Sequence, residues 1–199
     1  MRLSRFIIDG LRVLARVSCI NLGGKIVTLK KYFPIALFIG IQAFIIQIID
    51  QVLCVNVPPA GNAGFGWIAF QAWAVYFLAG GTIKGGVKAF IGYFLGIIAS
   101  IVIITSAGYV GFLGFLSVPI VLLIIVPFIL YLDQAPDYFN FVPAVFVGAG
   151  VFFGCMTYVP GATFTGIAIT ESVYVILGLI FGWGTVTFRG WYEGKYVKK

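Results

Sequence analysis

The sequence predicts an all-α integral membrane protein of about six transmembrane helices, preceded by an amphipathic helix lying at the membrane interface. Three observations predict it. Hydrophobic residues make up 61% of the chain and charged residues only 10%, against roughly 25% charged in a soluble domain. The apolar residues come in long runs, close to the roughly 20 residues that cross a hydrocarbon core of about 30 Å. Threading six spans also puts every basic residue on one side of the membrane.

At the N-terminus, Arg2, Arg5, Asp9, Arg12 and Arg16 recur at spacings of three and four, and Leu3, Phe6, Ile7, Leu11, Leu14 and Val17 fall opposite them. This is a basic amphipathic helix over residues 2–20, with Arg2, Arg5, Arg12 and Arg16 as interface anchors; a partner-binding helix is the rival reading. Asn21-Leu22-Gly23-Gly24 ends it. The first long apolar run begins near Phe33, too far in and too long for the core of a signal peptide. The chain therefore divides into an interfacial segment (1–31), a six-helix membrane domain (32–188) and a basic tail (189–199).

The expected spans run from Phe33 to Val57 (stopped by Pro58-Pro59), Gly64 to Ala79 (ended by Gly80-Gly81), Ile83 to Thr105, Tyr109 to Leu132, Phe141 to Tyr158 and Phe164 to Phe188. Pro119 and Pro127 mark kinks in the fourth. Asn140, ahead of Phe141 and Pro143, reads as a helix N-cap with proline in the first turn. The net charge of +7 is placed as membrane anchors are. Seven basic residues lie within the first 31 positions, four close the chain, and Lys84 and Lys88 sit between the second and third spans. Both termini are then cytoplasmic. Trp183, Trp191, Tyr192 and Tyr196 suit a cytoplasmic aromatic belt, and Trp67 the outer one. That placement argues against a nucleic-acid partner.

Two segments at an offset of 81 residues share the pattern aromatic-x-x-Gly-x-Thr-x-x-Gly: Phe77 to Gly85 and Tyr158 to Gly166. Tyr93 and Tyr174 match at the same offset. Each segment joins the second and third spans of a three-span half, so the halves form a 3+3 inverted repeat, an organisation common in transporters. Gly80, Thr82, Tyr158, Gly161, Thr163 and Thr165 are on that account candidates for a pathway or substrate site. The plainer reading makes each segment a tight turn capped by Thr82 or Thr163.

Two acids are embedded in spans. Asp50 lies near the outer end of the first, among Gln42, Gln47 and Gln51, and Glu171 lies about two turns into the sixth. An unpaired carboxylate in hydrocarbon costs several kcal/mol, and no Lys or Arg lies at that depth. Asp50, Glu171 and Gln47, one turn from Asp50, therefore either line a polar pathway or hydrogen-bond to neighbouring helices. Gly92-x-x-x-Gly96 suits close helix packing. Cys54 and Cys155 both fall near the outer side, compatible with one disulfide, though small buried side chains are the plainer reading. There is no histidine, and no enzyme motif, metal set or cofactor fingerprint is legible.

The segments Tyr76-Phe77-Leu78-Ala79-Gly80-Gly81-Thr82-Ile83-Lys84-Gly85 and Phe141-Val142-Pro143-Ala144-Val145-Phe146-Val147-Gly148, with Leu177-Gly178-Leu179-Ile180-Phe181-Gly182, resemble a family of small bacterial inner-membrane proteins catalogued as domain of unknown function 1097. The resemblance covers roughly residues 35 to 188 and implies a bacterial plasma-membrane setting without a substrate or site residues.

Three functions compete. The foremost is a channel or facilitator for a small, largely uncharged solute. The second is a proton-coupled secondary transporter using Glu171, and the third an accessory or scaffold protein docking through its N-terminal helix. Membrane lipids, a small-molecule solute and further copies of the same chain are the expected partners.

Overall fold

The computed structural model describes residues 19–22 and 25–197. Two short strands come first, β1 (Cys19–Leu22) and β2 (Lys25–Thr28), paired antiparallel with Cys19 opposite Thr28 and Leu22 opposite Lys25. Six α-helices follow: α1 (Leu29–Leu53), α2 (Gly66–Leu78), α3 (Ile83–Tyr109), α4 (Ser117–Leu130), α5 (Val142–Tyr158) and α6 (Phe164–Tyr192). The expected interfacial helix and its anchors Arg2, Arg5, Arg12 and Arg16 lie outside the described residues. Its last two residues, Cys19 and Ile20, correct the expectation: they pair as strand. Thr28 and Val27 opposite them, and Ile26 opposite Asn21, are β-branched, a composition that favours a pleated ladder over a helix.

Among the described residues, four stretches are long and apolar enough to cross a membrane: Lys31–Leu53, Ile83–Tyr109, Gly111–Gln134 and Phe164–Tyr196. The other two apolar helices are shorter. At 1.5 Å per residue, the 13 residues of α2 rise about 20 Å and the 17 of α5 about 26 Å, less than a hydrocarbon core of about 30 Å. The outer surface is apolar to match, with Tyr109, Phe112, Phe115 and Leu123 among its exposed side chains.

Three local expectations are corrected. The fourth span is not one kinked helix. A 3-10 segment, Gly111–Leu116, precedes α4 and a second, Tyr131–Gln134, follows it. The first break sits at Gly114, whose φ of 60° is open to glycine at little cost. Pro119 falls in the first turn of α4, where its missing N–H has no intrahelical partner to lose. Asn140 does not cap α5. The cap position is Phe141, and Asn140 instead accepts a hydrogen bond from Lys88 at 3.4 Å.

The described chain divides into two compact units, one of Phe44–Gly184 and one of the described parts of Met1–Ala43 and Thr185–Lys199. In the larger unit, glycines let helix backbones meet. On α3, a Cβ at Gly92 would stand 2.6 Å from Ala144 Cβ, and one at Gly96 2.4 Å from the Val145 carbonyl oxygen, both on α5. On α6, a Cβ at Gly178 would stand 2.1 Å from the Ala69 carbonyl oxygen, and one at Gly182 2.7 Å from Tyr76 Cβ, both on α2. The Gly92-x-x-x-Gly96 motif thus serves packing. Helix α4 joins through Val121, which clusters with Ile103 and Ala107 of α3.

Loop contacts define two ends of this unit. At one, Asp137, ahead of α5, pairs with both Lys84 and Lys88 in the first turns of α3. At the other, the hydroxyl of Thr170 in α6 donates to the Pro58 carbonyl at 2.5 Å, and Gly161 lies against Pro59. These ends are separated by α2, which starts after the Pro58 loop and stops before Lys84.

In the smaller unit, Phe38 stacks on Phe188 with centroids 3.9 Å apart. Thr185 donates to the Gln42 side-chain oxygen at 2.7 Å, an interhelical hydrogen bond. Arg189 pairs with Glu193 one turn on, and Lys195 lies over the rings of Trp191 and Tyr196.

Candidate functional site

Two acids are buried in the larger unit. Asp50, near the end of α1, is 4% exposed. Its Oδ1 accepts two hydrogen bonds, from the Phe65 backbone N–H at 2.9 Å and from the Tyr174 hydroxyl at 2.5 Å. The first donor belongs to the residue that precedes α2, so the carboxylate occupies the positive end of that helix. The chain reaches this geometry through Gly64, whose φ is 101°; a Cβ there would stand 2.5 Å from Asp50 Oδ2. Asn62 holds the loop. Its side-chain oxygen accepts from Gly64 N at 2.8 Å, and its Nδ2 donates to the carbonyls of Cys54 and Pro59 at 2.7 and 2.9 Å. Phe65 and Tyr174 meet edge to face, sealing Asp50 from one side.

Glu171 lies on α6, three residues before Tyr174 and so on the same helix face. It is fully buried, and neither carboxyl oxygen has a hydrogen-bond partner among the described residues. Its electrostatic neighbours are Tyr93 of α3 and Cys155 of α5, themselves 1% exposed. The Tyr93 hydroxyl is also buried without a partner among the described residues. Three helices therefore bring a carboxyl, a phenol and a thiol into one apolar region. The usual packing rule is that buried polar atoms are bonded, and this cluster departs from it. Cys155 and Cys54 are both free thiols, so the disulfide compatible with their placement is not formed.

The remaining sequence candidates lie at the surface. Gln47 is exposed, although its amide nitrogen would stand 3.2 Å from a Cβ at Gly66. Thr82 caps α3, accepting from Gly85 N at 3.0 Å, and Thr163 accepts from Gly166 N at 3.1 Å at the start of α6. Gly80 and Gly161 take positive φ in the turns before them. Gly80, Thr82, Tyr158, Gly161, Thr163 and Thr165 are all exposed. Both repeat segments are thus threonine-capped turns, and they stand at opposite ends of α2. Sequence reasoning did not name Tyr174 as a partner of Asp50, nor Asn62 or Cys155 as part of the site. The signal available was the match of Tyr93 with Tyr174, one beside each acid.

Among the described residues, no group of three His, Cys, Asp or Glu side chains is placed to hold a metal ion. Residues 35–189 match the family model described as "Protein of unknown function (DUF1097)", and the chain belongs to that family. No curated protein and no solved structure matches it.

Proposed function

We propose that this chain is a proton-coupled secondary transporter of a bacterial inner membrane, moving a small, largely uncharged solute, with Glu171 as the group that exchanges protons. The observation that carries this reading is the fully buried carboxyl of Glu171, which has no hydrogen-bond partner among the described residues. Such packing tolerates the neutral acid, whereas the carboxylate would need water or a cation to offset several kcal/mol. A state that wets Glu171 therefore changes what it holds, which is the elementary step of coupling. A plain channel gives no reason to keep a lone acid inside packed helices. For that reason the coupled carrier is preferred here to the facilitator.

The six apolar helices are read as six spans with both termini cytoplasmic, and three further features favour a 3+3 inverted organisation. Each three-helix half has a short middle helix, α2 or α5. Each half's last helix packs through glycines on the middle helix of the other half, α3 on α5 and α6 on α2. The two matching turns lie at opposite ends of α2, as an inversion requires. Rocking one half against the other is the motion that such architectures use. Homo-oligomers are common among membrane proteins of this size, and more than one copy per assembly is expected.

The test is reconstitution of the full chain in liposomes enclosing a pH-sensitive dye, with an imposed proton gradient and a panel of small uncharged solutes outside. Solute-dependent proton movement is expected, and its loss in Glu171→Gln with the helical content unchanged. Solute entry without a gradient, equal in the wild type and Glu171→Gln, would assign a facilitator instead.

A further inference from the structure

Within the larger unit, two loops cross between the helix sets α1–α3 and α4–α6, and each lands on the first turns of the other set's last helix. The loop from α1 to α2 (54–65) reaches α6. Its centre is Pro58-Pro59, which has no N–H to donate, and the Thr170 hydroxyl donates to the Pro58 carbonyl at 2.5 Å. Pro58 also lies against Gly166, where a Cβ would stand 3.2 Å from its own. The connection from α4 to α5 (131–141) reaches α3. Its Asp137 pairs with Lys84 and Lys88, its Asn140 accepts from Lys88 at 3.4 Å, and the Lys84 ammonium lies 5.7 Å from the centre of the Tyr138 ring. At the 81-residue offset Gly85 matches Gly166 and Ala89 matches Thr170, so the two loops hold equivalent turns.

The fastenings differ in kind. Thr170 is fully buried, so its bond is shielded from solvent. The side chains of Lys84 and Asp137 are about half exposed, and ion pairs so placed break readily. Asn62 donates to the carbonyls of Cys54, Val57 and Pro59, which ties 54–65 to itself and lets it move as one piece. On α6, Thr170 and Tyr174 hold this loop and Asp50, and they stand one residue before Glu171 and three after it. Lifting the loop therefore uncovers the end of α6 at which Glu171 lies.

We infer that these loops are two gates: 54–65, latched by Thr170, closes the end nearer Glu171, and 131–141, latched by Asp137 on Lys84 and Lys88, closes the opposite end. The gating role rests on the carrier reading above, to which it assigns the parts that move.

Thiol reporters read the two ends separately. Cys155 and Val145 are both buried on α5, Cys155 one turn from its end, at the first gate, and Val145 one turn from its start, at the second. In the full chain with Cys19→Ser and Cys54→Ser, Cys155 is the remaining thiol; adding Cys155→Ala and Val145→Cys moves the reporter to the other end. Each protein is labelled in detergent micelles with a small charged methanethiosulfonate. Thr170→Val should speed labelling of Cys155 about fivefold, as the loss of one hydrogen bond would, and leave the Val145→Cys reporter unchanged. Asp137→Asn should speed the Val145→Cys reporter about twofold, its pairs being exposed, and leave Cys155 unchanged. The inference is overturned if either substitution changes neither reporter, or speeds both alike as a general loosening would. Neither solute nor gradient enters this assay. Selective labelling with silent liposomes would sink the carrier alone, and unselective labelling with active liposomes the gates alone.

Discussion

Asp50 and Glu171 are both acids inside apolar helices of the same unit, and their surroundings differ in kind. Asp50 has a backbone N–H, a phenol hydroxyl and a helix N-terminus arranged around it, with a glycine and an asparagine shaping the loop that delivers them. Among the described residues, Glu171, one helical turn from Tyr174, has none of these. An acid with two donors behaves as a structural rivet between α1, α2 and α6. An acid without any is tolerated at a cost to stability, and such costs concentrate at functional sites. On the proposed function, architecture falls to one carboxyl and chemistry to the other.

The strongest way to break this contrast is to remove Asp50. Asp50→Ala strands the Phe65 N–H and the Tyr174 hydroxyl, and unfolding in mixed micelles should show a loss of about 3 kcal/mol. A loss near zero would mean that Asp50 is not the rivet. Glu171→Leu should do the reverse. Replacing an unbonded buried polar group by an apolar one of similar size is neutral to stabilising, by about 1–2 kcal/mol, while proton-coupled uptake disappears. A destabilised Glu171→Leu would reveal a bond that Glu171 depends on. Tyr174→Phe sharpens the comparison further, because Asp50 keeps the Phe65 N–H and loses one donor. The expected cost is about 1 kcal/mol, clearly less than that of Asp50→Ala in the same unfolding assay.

The smallest effect belongs to a third acid, outside the spans. Lys84, then Lys88, hold the Asp137 carboxyl below its ordinary value of 3.8. A depressed carboxyl contributes stability above its unfolded pKa and loses it as pH falls through the lower folded value. Melting temperatures followed from pH 7 down through the aspartate range, about pH 4 and below, should therefore decline more for the wild type than for Asp137→Asn. Parallel curves would show that this exposed pair contributes nothing measurable, as many surface ion pairs do.

Much of the fold was legible because its determinants are local. The apolar runs, the prolines after Val57, the threonines ahead of α3 and α6 and the Gly92-x-x-x-Gly96 face each act within a few residues, so the order of six helices could be read in advance. The expected cap at Asn140 failed because Lys88, 52 positions away, claims that side chain. The break at Gly114 was missed because a kink signalled by proline and one taken by glycine look alike in an apolar run.

Membrane class, the approximate spans and the presence of two embedded acids follow from the sequence by itself, since transfer from water to hydrocarbon depends mainly on which residues are present and in what runs. Which acid is satisfied, and by what, was decided by tertiary structure alone. Tyr174 lies 124 positions from Asp50, and a hydrogen bond needs its partners within about 3 Å, a condition that only the packing of α1, α2 and α6 can meet.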